Sequence, residues 1–141
     1  MDRRKFLKTS GALCGLGVVG STLLVESCKK SNSTSTTPQG PTVNFTIDLS
    51  QPANNSLNTA GGAISSNGVV VANDAGNYIA VAQSCTHSGC SVYFNPSGHS
   101  FVCPCHGGTF DNSGNVTGGP PPAPLKKYTV TRSGNILTIA G

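Results

Sequence analysis

Apolar and polar residues alternate along the C-terminal part of the chain, and the alternation marks strands. In TVNFTIDL (42–49), Val43, Phe45, Ile47 and Leu49 fall on one face with polar residues between them, the period of a half-buried strand. The runs VVVA (69–72) and YIAVA (78–82), separated by the turn residues NDAGN (73–77), predict a hairpin. SVYF (91–94), NPSG (95–98) and HSFV (99–102) predict a second, and KKYTVT (126–131), RSGN (132–135) and ILTIA (136–140) a third. No stretch after residue 41 carries a 3.6-residue period, and Gly and Pro interrupt the pattern at short intervals. The expectation is an all-β domain over 42–141, of the small sandwich or barrel kind.

The first 41 residues read differently. MDRRKFLK (1–8) is charged, and Gly11 to Val25 is a 15-residue uncharged run. It is too short and too Gly-rich for a spanning helix, which needs about 20 residues. The run ends in LLVESCKK, which resembles the cleavage and lipidation site of a bacterial lipoprotein, with Val25, Ser27 and Cys28 in the matching positions and Glu26 departing from the usual small residue. RRKFLK (3–8) resembles the twin-arginine export signal, which carries folded proteins, with Asp2 where Ser or Thr is usual. These resemblances imply a signal peptide over 1–27 and a lipidated Cys28 as the first mature residue. They also imply an exported protein anchored to the membrane or facing the periplasm. Acyl chains at about 0.8 kcal/mol per buried CH₂ would anchor it firmly. An uncleaved anchor is the alternative. SNSTSTTPQGP (31–41) buries too little apolar surface to fold, so 28–41 is expected to be a flexible tether.

Composition changes the picture in two ways. Aromatics are 6% of the 141 residues and Trp is absent, so a single small domain of this kind leans on a disulfide or a metal centre. The net charge of +4 comes from the N-terminal part: from Thr42 onward Lys126, Lys127 and Arg132 face Asp48, Asp74 and Asp111. The domain therefore has no basic stripe, and nucleic acid is not an expected partner.

Two segments carry chemistry: SCTHSGC (84–90) and CPCHGGTF (103–110). Each holds a local clip, Cys85-x-His87 and Cys103-x-x-His106. The clips flank the predicted hairpin 91–102, whose antiparallel return brings both to the same side. Two thiolates and two imidazoles then converge. Thiolates suit iron with bridging sulfide, and neutral imidazole suits iron or zinc. A zinc site would use the same residue types, but zinc fingers place the Cys pair before the His pair, and zinc leaves Cys90 and Cys105 unexplained. A pure disulfide scaffold with surface histidines is the remaining structural alternative. His99 lies outside both clips and is read as an ordinary surface residue.

Cys-Thr-His-x-Gly-Cys (85–90) and Cys-Pro-Cys-His-Gly (103–107) resemble the Rieske iron–sulfur family. The resemblance implies a Rieske-type antiparallel β-sandwich with a small cluster-binding subdomain and one [2Fe–2S] cluster. Cys85 and Cys103 would bind the buried iron, and His87 and His106 the outer iron; this ligand rule is the family's own. With those ligands taken, Cys14 in the signal and Cys28 as the lipidation candidate, Cys90 and Cys105 remain. The resemblance implies a disulfide between them that clamps the two loops, and an exported location permits it. It marks the quinol-oxidising and arsenite-oxidising branch, whereas dioxygenase ferredoxins lack it. GGPPPAPL (118–125) resembles the family's cluster-covering loop, a stiff lid because proline fixes φ. A rigid connector between sheets is its plainer reading.

Three positions depart from high-potential members. Gly108 and Phe110 stand where Ser and Tyr are typical, and Ser88 where quinol-oxidising members have Leu. Each missing hydroxyl removes a hydrogen bond that would favour the reduced cluster, so an intermediate potential within roughly −150 to +300 mV is expected. Gly108→Ser and Phe110→Tyr are expected to raise it. The resemblance implies a one-electron carrier working with a larger redox subunit or cytochrome of a membrane-associated or periplasmic oxidoreductase. With no general base, substrate-pocket motif or mononuclear-iron triad, it is not expected to be a complete enzyme. The alternatives are a Rieske subunit of a quinol:cytochrome c-type complex, the small subunit of an arsenite-oxidase-like enzyme, and a non-redox structural domain.

Overall fold

A computed structural model describes Pro38 and residues 40–141. The expected signal peptide, Cys28 and most of the tether lie outside the described residues. Among those described, no helix is long and apolar enough to cross a membrane.

The domain is all-β. Its strands are β1 (Asn44–Asp48), β2 (Ala63–Ser66), β3 (Val69–Asp74), β4 (Asn77–Ala82), β5 (Tyr93–Asn95), β6 (Ser100–Cys103), β7 (Gly108–Asp111), β8 (Val116–Gly118), β9 (Lys127–Ser133) and β10 (Ile136–Ala140). Among the described residues, the one helical segment is a 3-10 turn over Pro52–Asn58. Six strands form an antiparallel sheet in the order β1-β10-β9-β4-β3-β2, and four form a second in the order β5-β6-β7-β8.

All three predicted hairpins are present, the first and third with tighter turns than the sequence suggests. Asn73 and Asn77 belong to strands, leaving Ala75 (φ 52°) and Gly76 (φ 96°) as the turn between β3 and β4. Asn73 holds it: the Gly76 N–H donates to Asn73 Oδ1 at 2.8 Å, and Asn73 Nδ2 donates to the Leu57 carbonyl at 2.8 Å. β2, β7 and β8 have no counterpart among the predicted strands. Each has only three or four residues and depends on its neighbour for pairing.

β3 is buried at all six positions, which explains why it reads as an apolar run rather than an alternation. Val69 and Val71 join Ala80, Ala82, Tyr128, Leu137 and Ile139 in one core. Val70, Ala72 and Val81 face the other way, into a second core with Phe94, Phe101, Phe110, Cys85 and Cys103. The β3–β4 wall thus carries both cores, and the second contains two of the cysteines expected to bind metal.

His99 is more than a surface residue. Its side chain is 61% exposed, yet Nδ1 pairs with the largely buried carboxylate of Asp74. Asn112 Nδ2 approaches the same carboxylate at 3.4 Å. Asp74, His99 and Asn112 lie at the tips of β3–β4, β5–β6 and β7–β8, so this cluster ties the two sheets together at one end.

Asp111 closes the β7–β8 turn. Burial opposes its charge. Hydrogen bonds from Asn115 Nδ2 and N (both 2.9 Å) and from Ser113 N (2.8 Å), with nearby Lys127, outweigh burial and hold the carboxyl below its ordinary 3.8. A carboxyl depressed by folding stabilises the protein above the unfolded-state pKa, and that contribution is lost as pH falls through the folded value. Asp111→Ala, which removes the acceptor of three hydrogen bonds in a solvent-screened turn, is expected to lower stability by about 1 kcal/mol at neutral pH. In urea unfolding, the gap between variant and wild type should narrow below about pH 4.

Candidate metal centre

Three loops meet at the end of the sheets opposite the Asp74–His99 tie: 83–92 after β4, 104–107 after β6 and 119–126 after β8. The first is pinched by a bridge between Ser84 and Ser91 and by Cys85 N–H donating to the Cys90 carbonyl at 2.8 Å. In the second, the Gly107 N–H donates to the Cys103 carbonyl at 3.0 Å. The pairing Tyr93↔Val102 returns the hairpin so that both loops share one side, as the spacing predicts.

The disulfide between Cys90 and Cys105 is present and joins the first two loops, with Cα atoms 6.4 Å apart. Cys85 and Cys103 are free and buried, 3% and 1% exposed. The His87 and His106 rings sit edge to face with centroids 4.7 Å apart, and both residues are exposed. Thiols lie inside and imidazoles outside, at one end of one sheet. The sulfurs of Cys90, Cys103 and Cys105 lie within 4.8 Å of one another. Two of these are joined to each other, so Cys103 is the member of that trio left free to act as a donor.

The donor set suits a thiolate-bound metal cluster. Burial pushes the Cys85 thiol above its ordinary range, and neighbouring Cys103 adds to the shift. Hydrogen bonds from the backbone of His87 and Ser88 act the other way, favouring negative charge on that sulfur. A coordinated metal resolves the conflict, because it deprotonates a ligating thiol outright. Ser88 Oγ lies 3.5 Å from both Cys90 Sγ and His106 Nδ1, a polar group where an apolar edge would need a hydrocarbon side chain.

The third loop covers the second. Pro121, Ala123 and Leu125 are buried, and Pro120 and Pro122 face solvent. Thr86 Oγ1 donates to the Ala123 carbonyl at 2.7 Å, tying the lid to the first loop. The motif contains Thr86, but nothing in its spacing reveals this role, because the acceptor is 37 residues away. Phe110 is fully buried in the second core. Gly108 is buried against Pro121: a Cβ there would lie 2.5 Å from Pro121 Cγ. The expected gain from Gly108→Ser therefore meets a steric conflict that the sequence does not show.

A profile of the Rieske [2Fe–2S] domain family matches residues 47–129, more than half of the chain. The iron–sulfur subunit of the cytochrome b6-f complex from Chlorobaculum tepidum is 42% identical over 62 residues, which are 44% of this chain and 34% of that subunit. The chain thus matches about a third of that relative's length. Among solved structures, the cyanobacterial plasma membrane Rieske protein PetC3 from Synechocystis PCC 6803 is 29% identical with a TM-score of 0.53, covering 67% of this chain and 99% of that one. The ferredoxin of carbazole 1,9a-dioxygenase from Nocardioides aromaticivorans IC177 is 26% identical with a TM-score of 0.52, covering 60% of this chain and 91% of that one.

The disulfide spans a 15-residue separation. Opening a loop of that size by Cys90→Ser with Cys105→Ser is expected to cost about 3 kcal/mol. Urea unfolding of the double variant against the wild type measures it, and a loss under about 1 kcal/mol would mean that the lid and hairpin hold the loops unaided.

Proposed function

Since the chain belongs to the Rieske [2Fe–2S] domain family, we propose that it serves as the one-electron-transfer subunit of a membrane-bound quinol:cytochrome-type complex. It is a Rieske [2Fe–2S] electron-transfer domain, and one [2Fe–2S] cluster is its cofactor. The proposed domain spans 42–141. When bound, the cluster supplies one reversibly held electron.

The chain's own residues divide the work. Cys85 and Cys103, which are buried, would hold the cluster from inside, and His87 and His106, which are exposed, would hold it at the surface and present the edge open to a redox partner. Backbone hydrogen bonds from His87 and Ser88 stabilise the charge on the Cys85 sulfur. The Cys90–Cys105 disulfide and the proline lid hold the loops closed and keep water from the thiolates.

The observations that carry the reading are the buried free thiols of Cys85 and Cys103 and the paired, exposed imidazoles of His87 and His106, on two loops joined by a disulfide. The cytochrome b6-f relative supports a larger cytochrome-containing partner, and the plasma membrane neighbour supports a membrane location. Lipidation at Cys28, with 1–27 removed and 28–41 as tether, supplies the attachment. Ser88 favours a second reading, a relay to a periplasmic oxidoreductase, because its exposed hydroxyl beside His106 makes a poor dry edge for a quinol.

Cys85→Ala, His87→Ala, Cys103→Ala and His106→Ala are each expected to abolish the EPR signal of the reduced cluster, while His99→Ala keeps it. A normal signal from the His87 or His106 variant would defeat the ligand assignment. Detergent co-purification of a cytochrome, with reduction by an added quinol, separates the complex from the relay. Mass spectrometry of the mature N-terminus is expected to find acylated Cys28; a free Cys28 still preceded by the apolar run would instead favour an uncleaved anchor.

A further inference from the structure

We infer that Gly108 and Pro121 form one packing unit, in which the bare backbone of Gly108 seats the Pro121 ring and the ring takes the place of a side chain beside Cys103. The inference rests on the proposed role of Cys103 as a ligand.

A Cβ at position 108 would meet Pro121 Cγ at 2.5 Å and Cδ at 2.9 Å, with Cys103 Cβ 3.6 Å away. The pyrrolidine ring is closed onto its own backbone and cannot swing aside as a long side chain does. Gly119 makes the same fit from the lid side. Its φ is +84°, and a Cβ there would lie 2.8 Å from Gly108 Cα and 2.9 Å from the Gly107 carbonyl oxygen. The lid backbone therefore rests directly on the 107–108 backbone. The topology delivers it there, because Gly118 pairs with Thr109 at the end of β8 and the chain turns at Gly119 across the start of β7. Thr86 fastens the lid's other side at Ala123. The lid is thus held at one point in each ligand-bearing loop.

This arrangement has a chemical consequence. The slot beside Cys103 is filled by hydrocarbon, which excludes water and offers no hydrogen bond to sulfur. A serine at 108 would not simply add a donor; it would unseat Pro121. Gly108 and Pro121 are positioning residues that act on the cluster through the closure of its lid.

The test uses the full chain with Gly108→Ala, Gly108→Ser, Pro121→Ala and the double variant Gly108→Ala with Pro121→Ala. The readouts are bleaching of the visible absorption by a chelator, the midpoint potential, and hydrogen exchange at the Leu125 amide with and without cluster. Gly108→Ala and Gly108→Ser are expected to lose cluster about tenfold faster than wild type and to share one potential. Pro121→Ala is expected to relieve both defects, so the double variant outlasts Gly108→Ala alone. A Gly108→Ala variant identical to wild type would overturn the unit. So would a Gly108→Ser variant of normal cluster lifetime and a potential above that of Gly108→Ala. If the Cys103 assignment were at fault instead, Leu125 exchange in cluster-free protein would still quicken in Gly108→Ala and recover in the double variant, while the cluster readouts stayed at wild-type values.

Discussion

The β3–β4 hairpin is buried on both faces, and the rest of the domain is arranged around that constraint. Val69, Val71, Ala80 and Ala82 pack into one core, and Val70, Ala72 and Val81 into the other. A chain with few aromatics cannot fill two separate cores with large side chains, so it shares one wall between them. The second core continues into the metal centre without a break: Phe94 and Phe101 pack with ring centroids 5.3 Å apart, and Cys85 and Cys103 belong to the same cluster. The thiols are buried because they are part of a core.

Electrostatics at the centre follow from that burial. Burial makes the Cys85 thiol resist ionisation, and neighbouring Cys103 adds to that resistance. Coordination to a metal would relieve that resistance, because it deprotonates a ligating thiol. The imidazoles of His87 and His106 sit at the surface instead. The centre therefore has a dry side and a wet side. The segments 84–90, 103–107 and 118–125 contain no Asp, Glu, Lys or Arg, and Lys126, the last residue of the third loop, donates to the Pro41 carbonyl.

Rigidity comes from connections at both ends of the small sheet. At the far end, Asp74, His99 and Asn112 join three hairpin tips. At the near end, the disulfide joins the loops that carry the two Cys/His clips, and the lid reaches both through Thr86 and Gly108. A centre that changes by one electron benefits from such restraint, because a frame that does not rearrange keeps the cost of electron transfer low.

How much was legible beforehand depends on the range of the interaction. The all-β class, the three main hairpins and the two Cys/His clips are written in local patterns: alternation, turn residues and short spacings between ligands. The clips could even be placed on one side, because an antiparallel return follows from a short hairpin. The Cys90–Cys105 pairing came from resemblance, and the structure bears it out. What only the tertiary structure decided joins residues far apart in sequence. Examples are Thr86 to Ala123, His99 to Asp74, and Pro121 on Gly108. β2, β7 and β8 belong here too, since strands of three or four residues form only when a partner strand is already in place. In the sequence, Gly108 is only a missing hydroxyl; in the fold it is a filled space. That difference arises because close packing is a property of the pair, and neither residue's identity discloses the distance between them.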